Sequence, residues 1–119
     1  MKLIIAGSRR IDKFGEINLL IQKLISLLKE DITEFVSGGA KGVDAIGERY
    51  AIMGGFTPTI FPADWDRYGN HAAGVIRNKQ MANYADIAIV IWDGKSSGSF
   101  NMIKEMGKLN KPCFVEIYQ

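Results

Sequence analysis

Three glycines interrupt the run Phe35-Val36-Ser37-Gly38-Gly39-Ala40-Lys41-Gly42-Val43-Asp44, where a short apolar strand breaks off and a helix begins. Glycine lets a backbone turn and come close to a ligand, and the first amides of a helix have no intrahelical acceptor, so such a turn can cradle an anion. One glycine would serve a plain strand-to-helix turn; three favour the anion. A second turn of this kind follows Ile87-Ala88-Ile89-Val90-Ile91, in the run Trp92-Asp93-Gly94-Lys95-Ser96-Ser97-Gly98-Ser99. There Gly98 and Ser99 open a helix whose amides and serine hydroxyl suit phosphate, even if Ser99 also caps it. Lys95 could supply the counter-charge, and Asp93 reads as a solvated loop carboxylate. Two cradles in one small chain predict a phosphate-bearing ligand.

The spacing matches neither the dinucleotide fingerprint nor the phosphate loop that ends in Gly-Lys-Ser or Gly-Lys-Thr. Asp44, in a first helical turn, either complements the helix dipole or holds a ribose hydroxyl. Trp65 and Tyr68, in the polar and aromatic stretch 62–70, could flank a nucleobase or cap the core. Arg77 read by spacing alone is a helix arginine, solvated or paired. His71 reads as an ordinary residue and Cys113 as a small core residue.

These groups need elements to hold them. Residues 2–6 form a buried strand by composition, and 14–30 an amphipathic helix with Ile17, Leu20, Ile21, Leu24, Leu27 and Leu28 at helical spacing. Strands are predicted over 33–36, 57–61, 87–91 and 113–118, and helices over 43–53, 71–84 and 100–109. Strict alternation predicts an α/β fold, a Rossmann-like three-layer sandwich with a parallel five-stranded sheet, for which the order 3-2-1-4-5 is expected. In such a sheet the ligand crevice opens where the strand order reverses. Gly7-Ser8-Arg9 and the run Gly94 to Ser99 would flank it, with the Ser37 to Asp44 turn beside them.

The composition sets limits on this reading. A chain of 119 residues, 47% hydrophobic, supports one core and predicts a single domain over 1–119. Lys and Arg exceed Asp and Glu by only +2, which argues against nucleic acid or a membrane surface as partner. One cysteine and one histidine leave no intramolecular disulfide and no His-based triad, and neither a metal nor a resident cofactor is expected. The apolar start, residues 1–6, is too brief for a signal peptide or a membrane span, so a cytoplasmic protein is expected.

Taken in order, Gly7-Ser8-Arg9, Ser37 to Asp44, Arg77-Asn78-Lys79 and Gly94 to Ser99 resemble the YspA/YpsA-like branch of the SLOG superfamily over essentially the whole chain. That superfamily also contains DprA (Smf) and the LOG phosphoribohydrolases, which release a base from nucleoside 5′-monophosphates. Its shared feature is a Rossmann-like nucleotide pocket. The resemblance implies that Arg77 contacts the ligand, because Arg77 with Met81, followed by Asp86 before the strand, matches the LOG arrangement. The LOG signature continues with a Gly-Thr pair and, three positions on, a glutamate that takes part in catalysis. Here the pair is Gly98-Ser99 and the glutamate position is Met102. A methionine can neither steady an oxocarbenium ion nor activate water. Glu105, one turn further, is expected to face solvent; Asp44, Asp64 and Asp93 are the carboxylates expected along the ligand edge.

The leading expectation is therefore a module that senses, sequesters or processes a nucleotide or an ADP-ribose-like molecule through Gly38, Gly39, Lys41, Gly42, Ser96 and their neighbours. An alternative is a nucleotide hydrolase with Arg77, Asp44 and Glu105 as catalytic candidates. A third is a DprA-like module for single-stranded DNA, suggested by the superfamily and by Arg77-Asn78. The resemblance is also compatible with a homo-oligomer joined through exposed helices, as in LOG dimers.

Overall fold

The computed structural model describes residues 1–119, the side chain of Asn70 excepted. Five strands, β1 (Lys2–Gly7), β2 (Glu34–Ser37), β3 (Thr59–Ile60), β4 (Ile87–Trp92) and β5 (Cys113–Ile117), alternate with four helices. The helices are α1 (Phe14–Ser26), α2 (Val43–Met53), α3 (Trp65–Tyr84) and α4 (Ser97–Lys108). All strand pairs are parallel and the sheet order is β3-β2-β1-β4-β5, as the alternation predicts. This is a Rossmann-like α/β fold. The order reverses between β1 and β4, which pair from Leu3 with Ile87 to Gly7 with Ile91.

Both central strands are apolar throughout because both of their faces are covered. Leu3 and Ile5 of β1 and Ile89 and Ile91 of β4 pack with Ile17, Ile21, Val43 and Ile46, on the side of α1 and α2. The alternate residues, Ile4, Ala6, Ala88 and Val90, pack with Met81, Met102 and Met106, on the side of α3 and α4. Cys113 joins the second cluster, where burial pushes its thiol up to about 11. No helix among the described residues is long and apolar enough to cross a membrane.

Four elements differ from expectation, each for a local reason. Helix α1 ends at Ser26 rather than near residue 30, because the Leu27 and Leu28 amides bond back to Leu24 and Ile25 in a tightened last turn. Strand β3 is only two residues long, confined between Pro58 and Pro62, which have no amide to give a ladder. Stretch 62–70 is no plain loop: Asp64 caps a helical turn through the Arg67 amide at 3.2 Å, and α3 then kinks at Gly69. Finally, α4 starts at Ser97, three residues earlier than its apolar pattern, so Ser97, Gly98 and Ser99 form its first turn.

Candidate functional site

The turn after β4 is held open by its own side chains. Asp93 Oδ1 accepts the Lys95 and Ser96 amides, both at 2.8 Å, which reverses the chain and holds this carboxyl below its ordinary range. Ser96 then occupies the N-cap of α4, yet its side chain caps no amide. Its hydroxyl bonds sideways instead, donating to Ser99 Oγ at 3.0 Å and lying 2.9 Å from Ser8 Oγ. The helical ladder begins with the Phe100 amide on the Ser96 carbonyl. Ser97, Gly98 and Ser99 precede it, so their amides have no intrahelical acceptor, and all three residues line a cleft of about 830 Å³.

The glycine-rich turn after β2 is closed by the protein's own oxygens. Gly42 is the N-cap of α2 at φ 73°, and a Cβ there would lie 2.4 Å from the Ser8 carbonyl oxygen and 2.6 Å from that of Arg9. The Val43 amide already donates to Ser8 at 3.4 Å. Asp44 folds back over the same turn, where Oδ2 accepts the Ala40 amide at 3.3 Å. Ser37 Oγ donates to Glu48 Oε2 at 2.6 Å and accepts the Gly39 amide at 3.1 Å. Three donors of this turn, the Gly39, Ala40 and Val43 amides, are thus bonded internally, and a carboxylate sits among them.

Arg77 and Asn78 of α3 connect the two turns. The Arg77 guanidinium donates to the Gly38 carbonyl and, through Nε, to Asn78 Oδ1 at 3.0 Å. Asn78 in turn donates to the Gly98 carbonyl at 3.1 Å and to Asn101 Oδ1 at 2.9 Å. Gly38 is needed for this approach, since a Cβ would stand 2.6 Å from the guanidinium. Burial pushes the Asp44 carboxyl up to about 6, against the opposing pull of the Ala40 amide and of Arg77. Burial likewise lowers the pKa of Arg77, while Asp44 beside it acts the other way.

The cleft therefore has an amide-rich wall at α4, a buried Asp44 and Arg77 opposite, and an apolar floor that includes Met81 and Met102. Arg9, Arg10 and Trp65 stand at its rim, with the Arg9 guanidinium 5.8 Å from the Trp65 ring centre. Of the residues singled out in the sequence, Gly7, Arg9, Asp44, Trp65, Arg77, Asn78, Asp93, Lys95, Ser96, Gly98 and Ser99 line this one cleft. Ser8, Ser37, Gly38 and Gly42 build its walls from behind, and Gly39, Lys41, Asp64 and Gly94 are not among its lining residues.

Glu105 needs correction. Expected to face solvent, it is 5% exposed, paired with Lys108 at 3.3 Å and absent from the cleft, because the apolar stripe of α4 draws this face inward between Met102 and Met106. Met102 does reach the cleft, so that wall offers a thioether and no carboxylate. Sequence reasoning also missed Arg10, His71 and Asn101 as lining residues. Asn101 lies one helical turn after Ser97, a spacing that could have revealed it. His71 depends on the kink at Gly69, which leaves no such signal. Among the described residues no three His, Cys, Asp or Glu side chains are grouped to hold a metal.

Comparison with known proteins places this geometry. A family model described as "YspA, cpYpsA-related SLOG family" matches residues 1–68. Over 83 residues the chain is 37% identical to the Gene 61 protein of Mycobacterium phage D29, covering 65% of this chain and 66% of that protein. Its fold is similar to that of DNA processing protein A from Helicobacter pylori, with a TM-score of 0.67 at 21% identity, over 100% of this chain and 66% of the other. The chain thus spans just under two thirds of each of these relatives. The structure of the Helicobacter protein is described for its single-stranded DNA binding mode, and this overturns the expectation that near-neutral charge argues against nucleic acid. Net charge is a whole-chain quantity; at the cleft, Arg9, Arg10, Arg77 and Lys95 outnumber Asp44 and Asp93.

Proposed function

The chain belongs to the YspA, cpYpsA-related SLOG family, and from that premise we propose that residues 1–119 act as one nucleotide-binding domain whose ligand sets a phosphate on the first turn of α4. One observation carries the reading: the start of α4 has no side-chain cap and opens into a cleft that also holds Lys95 and Arg77. The Ser97, Gly98 and Ser99 amides and the Ser99 hydroxyl take the phosphate, and Lys95 adds charge. Trp65 and Arg9 flank the base, Asp44 accepts from a ribose hydroxyl, and Arg77 holds the ligand between the two turns. Gly38, Gly42, Ser8, Ser37 and Asn78 fix these groups in place.

Titration calorimetry with paired nucleosides and 5′-nucleotides tests this. At least one nucleotide binds in the micromolar range while its nucleoside binds at least about tenfold more weakly, the loss of a charge-assisted contact. Equal affinity for both would overturn the assignment. Chromatography of the same mixtures, with Arg77→Ala as control, reads whether the ligand is merely held or is also cleaved to free base.

A second reading, single-stranded DNA as ligand, is favoured by the fold likeness to the Helicobacter DNA processing protein and by Arg9 and Arg10 at the cleft rim. An oligonucleotide titration at two salt concentrations separates it from the first. A strand that binds more tightly than every mononucleotide, with affinity falling steeply as salt rises, identifies DNA as the ligand.

A further inference from the structure

Strand β5 is a sheet edge: among the described residues its only ladder neighbour is β4. In that ladder the Ala88 amide donates to the Pro112 carbonyl and the Tyr118 amide to the Trp92 carbonyl. Backbone groups alternate along a strand, so residues 112, 114, 116 and 118 turn theirs toward β4, and Cys113, Val115 and Ile117 turn theirs outward. The opposite edge, β3, is guarded by its two-residue length and by Pro58 and Pro62. The run Cys113-Phe114-Val115-Glu116-Ile117 has no proline and one charge. Lys111, the cation nearest to it in the chain, is spent at the end of α3, where Nζ donates to the Ala82 and Ala85 carbonyls at 2.8 and 2.7 Å. Val115 is 40% exposed and Ile117 52%, and Ile117 pairs in register with Trp92, whose ring stacks on the exposed Phe100.

Outward amides, carbonyls and β-branched side chains along one edge are a template for another strand. We propose that β5 pairs antiparallel with β5 of a second copy, with Val115 on the two-fold axis, joining the two sheets into one. In that register Val115 exchanges both hydrogen bonds with its own counterpart, and Cys113 exchanges both with Ile117 of the second copy, so every outward group is matched. Sliding by two residues one way calls on the Lys111 amide, which the Met106 carbonyl already holds; sliding the other way sets Cys113 against Gln119, beyond the end of the strand. The fit is to the chain itself: the largest side chain on that face, Ile117, falls opposite the smallest, Cys113, at both ends of the seam. On the other face the Glu116 carboxylates of the two copies stand diagonally, about 7–8 Å apart, in mild repulsion. A five-residue strand is about 17 Å long, so the seam falls short of the ~800 Å² per partner of a tight complex, and half-association is expected at about 0.1 mM. The proposal is independent of the nucleotide reading, since no residue of β5 lines that cleft.

The test combines sedimentation velocity, from about 10 µM to about 1 mM, with residue-resolved amide hydrogen exchange over the same range. The chain should pass from monomer to dimer as the Cys113, Val115 and Ile117 amides gain about tenfold protection, while Phe114 and Glu116, bonded to β4, stay protected throughout. Val115→Pro, whose lost amide serves no bond to β4, should abolish the dimer, and Glu116→Gln should tighten it about threefold. Val115→Lys sets two cations face to face on the axis and keeps the amide, so it gives the same loss of dimer even if the proline variant fails to fold. A monomer at about 1 mM, a dimer whose Val115 and Ile117 amides exchange as fast as in the monomer, or a dimer that survives Val115→Lys would overturn the proposal.

Discussion

The turn after β2 and the turn after β4 stand on the same edge of the sheet, both rich in glycine and both leading into a helix. In the first, Gly42 admits the Ser8 and Arg9 carbonyls, the Val43 amide is taken by Ser8, and Asp44 folds over the rest. In the second, the Ser96 hydroxyl bonds the Ser99 and Ser8 hydroxyls and caps no helix amide, and the first three residues of α4 line the cleft. Glycine in the first turn thus makes room for backbone and in the second leaves a helix start open. The same composition serves packing in one place and access in the other. Arg77 and Asn78 hold the two at a fixed spacing, which makes the closed turn a support for the open one.

The contrast can be broken most severely at Gly42. Gly42→Ala places a methyl against two carbonyls at a positive φ, and urea denaturation should report a loss of about 3 kcal/mol. The matching change in the open turn, Gly98→Ala, meets nothing within 4 Å and should shift stability by less than about 0.5 kcal/mol. Similar losses at both positions would mean that the turns are equally packed.

Ser97→Asp sharpens the comparison from the side of binding. A carboxylate at the first position of α4 favours the helix dipole, so thermal stability should hold or rise slightly. The same charge repels a phosphate on that turn, and calorimetry should read a loss of about 30-fold or more in nucleotide affinity. Retained affinity would place the phosphate elsewhere.

Asp44 gives the closed turn a pH signature. With its folded carboxyl at about 6, above the ordinary carboxylate value, the folded state keeps a proton that the unfolded chain releases near pH 4. Its stabilising contribution is full below about pH 4 and is lost as pH rises through 6. Relative to Asp44→Asn, the unmodified chain should therefore weaken between pH 4 and 7, by roughly 2 kcal/mol. Denaturation curves at pH 4.5 and 7.5 would check this, and a pH-independent difference would contradict it.

The smallest effect is expected at Lys41. It belongs to the glycine-rich run yet does not line the cleft, and Lys41→Ala should change nucleotide affinity by less than about threefold. A larger loss would return the closed turn to consideration as an anion site.

Fold and site were legible to different depths. Alternating periodicity and the apolar runs of β1 and β4 revealed a parallel sheet covered on both faces, because that burial leaves its mark in composition, whereas the order 3-2-1-4-5 rests on likeness to Rossmann sheets. Element ends were less visible: the start of α4 at Ser97 depends on Asp93 closing the preceding turn, and the capped turn at 64–68 on one side-chain bond. Within the site, Arg77 emerged from family resemblance rather than spacing. Arg10 and His71 carried no periodic signal, since loop and kink geometry brings them to the cleft.

By itself the amino-acid sequence determined the βα alternation, the double coverage of the central strands and the two glycine-bearing turns. Those features follow from local backbone preference and from which residues avoid water. Which of the two turns remained available was decided only by tertiary structure. The Ser8 carbonyl and the Asp44 carboxyl fill one of them through contacts between segments distant in the chain or folded back on it, and hydrogen-bond donors are taken by whatever acceptor the packed neighbours bring within reach.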